Sequence, residues 1–504
     1  MVQFTTFFSA LGMIFTTPQY LLYMLVFVLI GILLGALPGI NVIMALILAL
    51  PLTYSMESEM AMCVLLACYT GAMSGGLISA VALNIPGTSS AIATTFDGHP
   101  LAQNGQVTKA CGIGILSSFV GGSLSYLLLL FLAPAMAAFA LKFQPWEYFA
   151  IGIFSITMVV TMAGDNLAKG LLAAVFGMCM AMTGTEPIGN VVRYNFGNHA
   201  LDGGVSMMAM MCGMFVVPEM MKLAEDLDNT KLEVYNTERV RGYGITLKEY
   251  LRKWKTIIRA TVIGAVCGIL PGVGGSSASL LAYMTEKNSS KHPETFGKGE
   301  VEGLIASETS NNASLGGAII PLLALGIPGS SAAALVMGAL TIHGVQCGPL
   351  VFSTHINLVY MIYAILFVSN IFMLIFERMM LKGFIKLLTL PRRIIMVAVM
   401  MLCCMGAYCT RNNYSDVIVF IVMGIIGYLM KKGGIPITPI ILGNILTSII
   451  EENFVRALSV SKGNGAAILK RPIALVFLGI ALAALILQLY KHSSVKKQKI
   501  KMEG

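Results

Sequence analysis

Apolar runs of near-bilayer length recur along the whole 504-residue chain, and they restrict its fold more than any other feature. Leu21–Leu37, Leu116–Leu132, Gly170–Met182, Met361–Phe376, Ile394–Ala407 and Ile473–Leu489 are cores of such runs. A helix needs about 20 apolar residues to cross the hydrocarbon layer of a membrane. The runs are continuous and do not alternate, which argues against a closed β-barrel. Only 11% of the residues are charged, against about a quarter in a soluble domain. The expected fold is an all-α polytopic membrane protein with about 10–12 transmembrane helices.

The formal charge of +9 does not indicate nucleic acid, because the basic residues sit in loops and in the tail KHSSVKKQKIK. That distribution follows the positive-inside rule. The ten cysteines are scattered through apolar runs, and Cys403–Cys404 is adjacent with no C-x-x-C spacing. They read as small apolar packing residues. No metal or cofactor is expected beyond a transported cation. Residues 1–20 lack a basic n-region, so the first membrane segment is expected to supply insertion.

The chain repeats itself. GALPGI at 35–40 returns as GILPGV at 268–273, and NIPGTSS at 84–90 returns as GIPGSSA at 326–332. Between them GAMSGG at 71–76 matches NASLGG at 312–317, so the three offsets are 233, 242 and 241 residues. The expected division is a first transmembrane repeat (1–225), a polar cytoplasmic linker ending in an amphipathic helix (226–254), and a second repeat (255–471). A final transmembrane helix and basic tail follow (472–504).

Loop charge leads to the expectation that the repeats are inverted. SMESEM after the first LPG helix has two glutamates and no Lys or Arg, whereas its counterpart EKNSSKHPETFGKGE holds Lys287, Lys291 and Lys298. Opposite bias at equivalent loops places them on opposite sides of the membrane. The path is consistent as far as residue 434 if each LPG segment is a re-entrant hairpin. Inverted repeats with broken helices are the usual build of secondary transporters.

Proline inside a helix removes a hydrogen bond, and glycine permits the sharp path beside it. Freed backbone groups are tolerated in a membrane only against protein or a wet cavity. Pro38–Gly39, Pro86–Gly87, Pro271–Gly272 and Pro328–Gly329 are therefore expected to mark four breaks around one cavity. Mere kinking explains one such pair better than four pairs related by a repeat. Each break is followed by small polar residues that can open a new helix: Asn41; Thr88, Ser89 and Ser90; Gly274, Ser276 and Ser277; Ser330 and Ser331. Helix N-termini aimed at one point bind an anion without a basic side chain. Asn84, Asn311 and Asn312 are amides near the same motifs. Glu308, in the repeated region, is the coupling-ion candidate with Asn84 and Asn312, for Na⁺ or H⁺. Asp97, Asp165, Asp202 and Asp416 read as helix-end or loop residues, and His99 and His343 as structural.

These motifs resemble the TctA family, the large membrane subunit of tripartite tricarboxylate transporters. The resemblance runs from GALPGINVIMALILALPLTY through YTGAMSGGLISAVALNIPGTSSAIATTFDGHPLAQNG, RYNFGNHALDGG and GILPGVGGSSAS. It continues through ETSNNASLGGAIIPLLALGIPGSSAAALVMGAL and ILGNILTSIIEENFVRAL. The resemblance implies a multi-pass subunit of the bacterial cytoplasmic (inner) membrane. It would work with a small membrane subunit (TctB-like) and an extracytoplasmic solute-binding protein (TctC-like) that captures an organic anion such as citrate. Import would be driven by an ion gradient; no Walker motif is present. Two departures, Ser74 before Gly75–Gly76 where the family usually has an aromatic and ETSNN in the second repeat, bear on the substrate and not on the class. A stand-alone carboxylate carrier is the alternative. An intramembrane serine hydrolase is disfavoured because no G-x-S-x-G elbow occurs.

Overall fold

The structure, a computed structural model, describes residues 2–37, 40–162, 166–186, 188–189, 191–225, 243–387, 392–409 and 411–503. In chain order the helices begin with α1 (Val2–Thr16), α2 (Pro18–Ala36), α3 (Val42–Ala49), α4 (Ser58–Leu83) and α5 (Ile92–Leu101). Then come α6 (Val107–Ala140), α7 (Pro145–Met162), α8 (Leu167–Ala181), α9 (Met207–Glu225) and α10 (Leu247–Leu251). The second half holds α11 (Trp254–Ile269), α12 (Gly274–Ser289), α13 (Val301–Leu325), α14 (Ser331–Ile342) and α15 (Val351–Thr354). It ends with α16 (Ile356–Leu387), α17 (Arg392–Cys409), α18 (Tyr414–Lys432), α19 (Thr438–Val460) and α20 (Pro472–Glu503). The strands among the described residues are a two-residue pair, Gly184–Thr185 with Val192–Arg193. The all-α membrane architecture expected from the apolar runs is therefore present. Among the described residues, six segments are long and apolar enough to cross a membrane by length and composition: Pro18–Ala36, Ser58–Leu83, Ser89–Ala140, Ile356–Leu381, Tyr414–Lys432 and Pro472–Leu489.

The chain forms two compact units, and each half of the sequence contributes to both. The first unit takes Met1–Ala138, Glu219–Ile269 and Val273–Cys403; the second takes Phe139–Pro218, Leu270–Gly272 and Cys404–Gly504.

The first unit is built on two equivalent helix pairs, α2 on α4 and α11 on α13. Both pairs are drawn together by small residues. A Cβ on Gly31 or Gly35 would clash with the carbonyl oxygen of Cys68 or Ala72, and one on Gly71 or Gly75 with that of Val28 or Ile32. In the second pair Gly264 and Gly268 abut the carbonyls of Ser310 and Ser314 in the same way. Small residues four apart let helix backbones touch, which replaces the hydrophobic drive that lipid does not provide. Ala61–Ala82 of α4 and Gly303–Ala324 of α13 are buried throughout, so these two helices are the core of the unit. The short helices cross between repeats: α3 packs on α14, while α12 packs on α5 and on the 3₁₀ turn Ser89–Ala91.

Most of the expected linker, residues 226–242, lies outside the described residues. Its end forms α10, opened by a capping box between Thr246 and Glu249. The buried Tyr250 ties α10 to α6 by donating to Ser117 Oγ at 3.2 Å.

In the second unit α19 packs on α7 and α8, with Gly177 against the Ile440 carbonyl and Gly443 against that of Ala174. Arg193 makes a two-pronged ion pair with Glu451 at 2.5 and 2.6 Å. Trp146 Nε1 donates to Ser461 Oγ at 2.9 Å.

Candidate functional site

The broken segments are built alike in both repeats. α4 ends with Asn84 in the left-handed conformation (φ 54°, ψ 24°), and α13 ends with Gly326 in the same one (φ 73°, ψ 24°). This is the usual helix-ending residue, where glycine or asparagine avoids the Cβ penalty. Asn84 therefore does the backbone job of Gly326, and its side chain is exposed. Beyond it, Gly87 N–H donates to the Gly76 carbonyl at 3.3 Å, and Gly329 N–H donates to that of Ala318 at 3.4 Å. The repeat offset here is 242 on both strands of the comparison, one residue from the alignment of the double glycines. Gly87 sits on the Gly35 carbonyl and Gly329 on that of Gly268, too close for any Cβ.

New helices start where the small polar residues suggested. Asn41 Oδ1 accepts from Met44 N–H at 3.0 Å and caps α3. Ser330 Oγ accepts from Ala333 N–H at 3.1 Å and caps α14. Ser331 follows as the first, buried residue of α14, behind the buried Pro328. Gly274, Ser276 and Ser277 form the first turn of α12 and are half-buried. Thr88 precedes the 3₁₀ turn without a side-chain cap, its hydroxyl lying 3.0 Å from that of Ser90; Pro86 before it is half-buried. Pro271 and Gly272 group with the second unit, Gly272 at φ 83° against Val159. Pro38 and Gly39 lie outside the described residues, as does Asp165.

Contacts between repeats draw these starts together. Ser276 Oγ donates to Ser89 Oγ at 3.0 Å. Gly275 lies against Met73, Asn311 Oδ1 and Ser314 Oγ. Asn311 Nδ2 donates to the Met73 carbonyl at 3.2 Å, while its buried Oδ1 has no partner among the described residues. Tyr69 and Ser330 share a hydrogen bond between their hydroxyls at 3.2 Å. Tyr69 and Met73 are one turn apart on the same face of α4. The α12–Ser89 seam and the α14–Tyr69 seam are thus adjacent, and both present helix starts and hydroxyls.

Glu308 is fully buried in α13, held by the hydroxyls of Thr94 and Ser118, the latter at 3.0 Å. Asn312 is buried beside it and donates to the Glu308 carbonyl one turn back. Three features escaped the sequence reading. Asp97 is fully buried inside α5, where Oδ1 accepts from the backbone N–H groups of Gly297, Gly299 and Glu300 at 2.8, 2.8 and 2.7 Å. Glu377 is fully buried on α16 and accepts from Ser74 Oγ at 2.9 Å. An acid at the end of an apolar run was the available signal for Glu377, whereas Asp97, expected at a helix end or in a loop, is instead buried within α5 because residues 297–300 fold over it. For Tyr69 no sequence signal existed.

A family model, the tripartite tricarboxylate transporter TctA family, matches residues 21–442. The chain belongs to the TctA family. Two curated proteins of Agrobacterium vitis are similar to this member. One is named as an uncharacterized 52.8 kDa protein in the TAR-I ttuC' 3' region, 33% identical over 454 residues and 90% of each chain. The other is named as an uncharacterized protein in the TAR-II ttuC' 3' region. It is 35% identical over 240 residues, 48% of this chain and 99% of its own. No solved structure matches the TctA-family chain significantly. The family model spans all the paired breaks, so the site described above falls within the family region.

Proposed function

We propose that this TctA-family subunit imports organic anions, di- or tricarboxylates such as citrate, across the bacterial cytoplasmic membrane, driven by a cation gradient. A solute-binding protein outside the membrane would deliver the anion, and a small membrane subunit would complete the complex. The observation that carries this reading is the Ser276–Ser89 contact, which brings helix starts from both repeats to one place beside the Asn311 amide oxygen, which has no partner among the described residues. Helix starts supply unpaired N–H groups and positive dipole ends, which suit carboxylates. Hydroxyls and an amide oxygen suit the protonated or cation-bound part of the ligand. A fixed basic side chain is not needed. Family membership favours the tripartite arrangement over a stand-alone carrier, and a transport role over an enzymatic one.

The test is uptake of labelled citrate and a panel of dicarboxylates into vesicles containing the chain. It is run with and without the two partners, and with and without imposed Na⁺ or H⁺ gradients. Gradient-dependent uptake only with the partners supports the proposal. Uptake without them supports the stand-alone carrier. No anion movement by folded protein under any gradient overturns both.

A further inference from the structure

Glu377 is a fully buried acid at the end of an apolar stretch, and the anion site does not use it. Oε2 takes the Ser74 hydroxyl; Oε1 is buried without a partner among the described residues. A carboxylate moved out of water costs several kcal/mol even after the protein relaxes, so it needs a counter-charge or full hydrogen bonding. The described surroundings give neither. Arg378, next in sequence, sets its guanidinium over the Tyr243 ring at 5.4 Å. Among the described residues, the other ionisable groups that interact electrostatically with Glu377 are the Cys111 thiol, the Tyr243 phenol and Glu308. None is cationic, and a charged Glu308 would repel a charged Glu377. One hydroxyl partner also suits a proton better than a hard metal cation, which gathers about six oxygens.

Ser74 places this acid beside the moving parts. The residue before it, Met73, gives its carbonyl to Asn311. Two residues after it, Gly76 gives its carbonyl to Gly87 at the break. We propose that Glu377 binds and releases a proton in each transport cycle and that Ser74 passes the change to α4 and both seams of the anion site. The proton arrives from water on one side and leaves to water on the other; no other bond is made or broken. Release requires water to reach Oε1, so the bare carboxylate exists only while that side is open. This assignment rests on the transporter reading.

The experiment uses the full chain with its partner subunits in proteoliposomes. Glu377→Gln keeps the shape and removes the titrating proton. Under a one-unit pH gradient, wild type should accumulate about tenfold more substrate than E377Q, the worth of one coupled proton per unit. Exchange of labelled for unlabelled substrate should persist in E377Q, since it moves no net protons. In the infrared, wild type should show the carbonyl stretch of a protonated acid, shifted in D₂O and absent from E377Q. Ser74→Ala, which deletes the hydrogen bond and keeps the acid, should move that band. Equal proton-driven accumulation in wild type and E377Q overturns the assignment and leaves the transporter reading standing. If E377Q does not fold, an unmoved band in S74A overturns the assignment by itself. Failure of wild type to exchange any carboxylate overturns the transporter reading instead.

Discussion

Ser276 donates its hydroxyl to Ser89 at 3.0 Å, and the two residues come from different repeats 187 positions apart. The bond spans the start of α12 and the 3₁₀ turn after the Pro86–Gly87 break, so it reports whether the two broken segments are closed on each other. A neutral hydrogen bond contributes about 0.5–1.5 kcal/mol. Ser276→Ala and Ser89→Ala should each raise the KM for substrate by roughly 2- to 10-fold. The double variant should be no worse than the poorer single one. Additive losses in the transport assay would show that the two hydroxyls act separately.

Gly87 and Gly329 are predicted to be equally intolerant of a side chain. Each lies on a backbone carbonyl, of Gly35 and Gly268, and backbone cannot swing aside as a flexible side chain can. Gly87→Ala and Gly329→Ala should each cost about 1–3 kcal/mol or more, lowering the Tm of the purified protein and abolishing uptake. Gly12→Ala, where nothing lies within 4 Å, is the control and should change neither.

Asp97 caps α13 from another helix, since its Oδ1 receives three backbone N–H groups at the residues leading into Val301. A carboxylate there also faces the positive end of the helix dipole. Asp97→Ala leaves those donors unpaired and should cost about 2–4 kcal/mol. Asp97→Asn keeps an acceptor and should cost less. Hydrogen exchange at Gly297, Gly299 and Glu300 should accelerate most in D97A, and an unchanged rate there would contradict the capping role.

Asp202 gives a pH dependence outside the membrane spans. The Asn195 amide donates to Oδ1 at 2.8 Å and His199 Nδ1 lies 3.0 Å from Oδ2, and together they hold its carboxyl below the usual carboxylate range. A depressed folded-state value stabilises the loop above the unfolded value, about 3.9. That contribution is lost as pH falls through the lower folded value. Exchange protection of residues 195–204 should therefore drop on acidification below about pH 4. Asp202→Asn should flatten that dependence.

Much of this was written in the chain. The continuous apolar runs dictated membrane helices, because a bilayer leaves a lipid-exposed backbone few ways to satisfy its hydrogen bonds. The paired LPG and IPG motifs pointed to two related halves, and three of them coincide with breaks among the described residues, at 86–87, 271–272 and 328–329. Asn41 and Ser330 were legible as caps, since capping needs only neighbouring backbone. The left-handed backbone role of Asn84 becomes visible only beside Gly326.

What local chemistry cannot encode is which distant groups meet. Met73 and Gly275 are ordinary residues, and Asn311 only an amide near a motif, until α4, α12 and α13 pack together. Asp97 resembles a loop acid until residues 297–300 fold over it. Glu377 follows an apolar run and precedes an arginine, which reads as a helix end near the membrane surface; only the packing of α16 on α4 buries it on Ser74. The sequence by itself determined the helices, their membrane setting, the repeated motifs and the positions of the breaks that the described residues show, because these follow from hydropathy and backbone chemistry over a few neighbouring residues. The tertiary structure alone decided which breaks face each other and which acids lose water, because burial and hydrogen bonding between repeats depend on helices more than 200 residues apart in the chain.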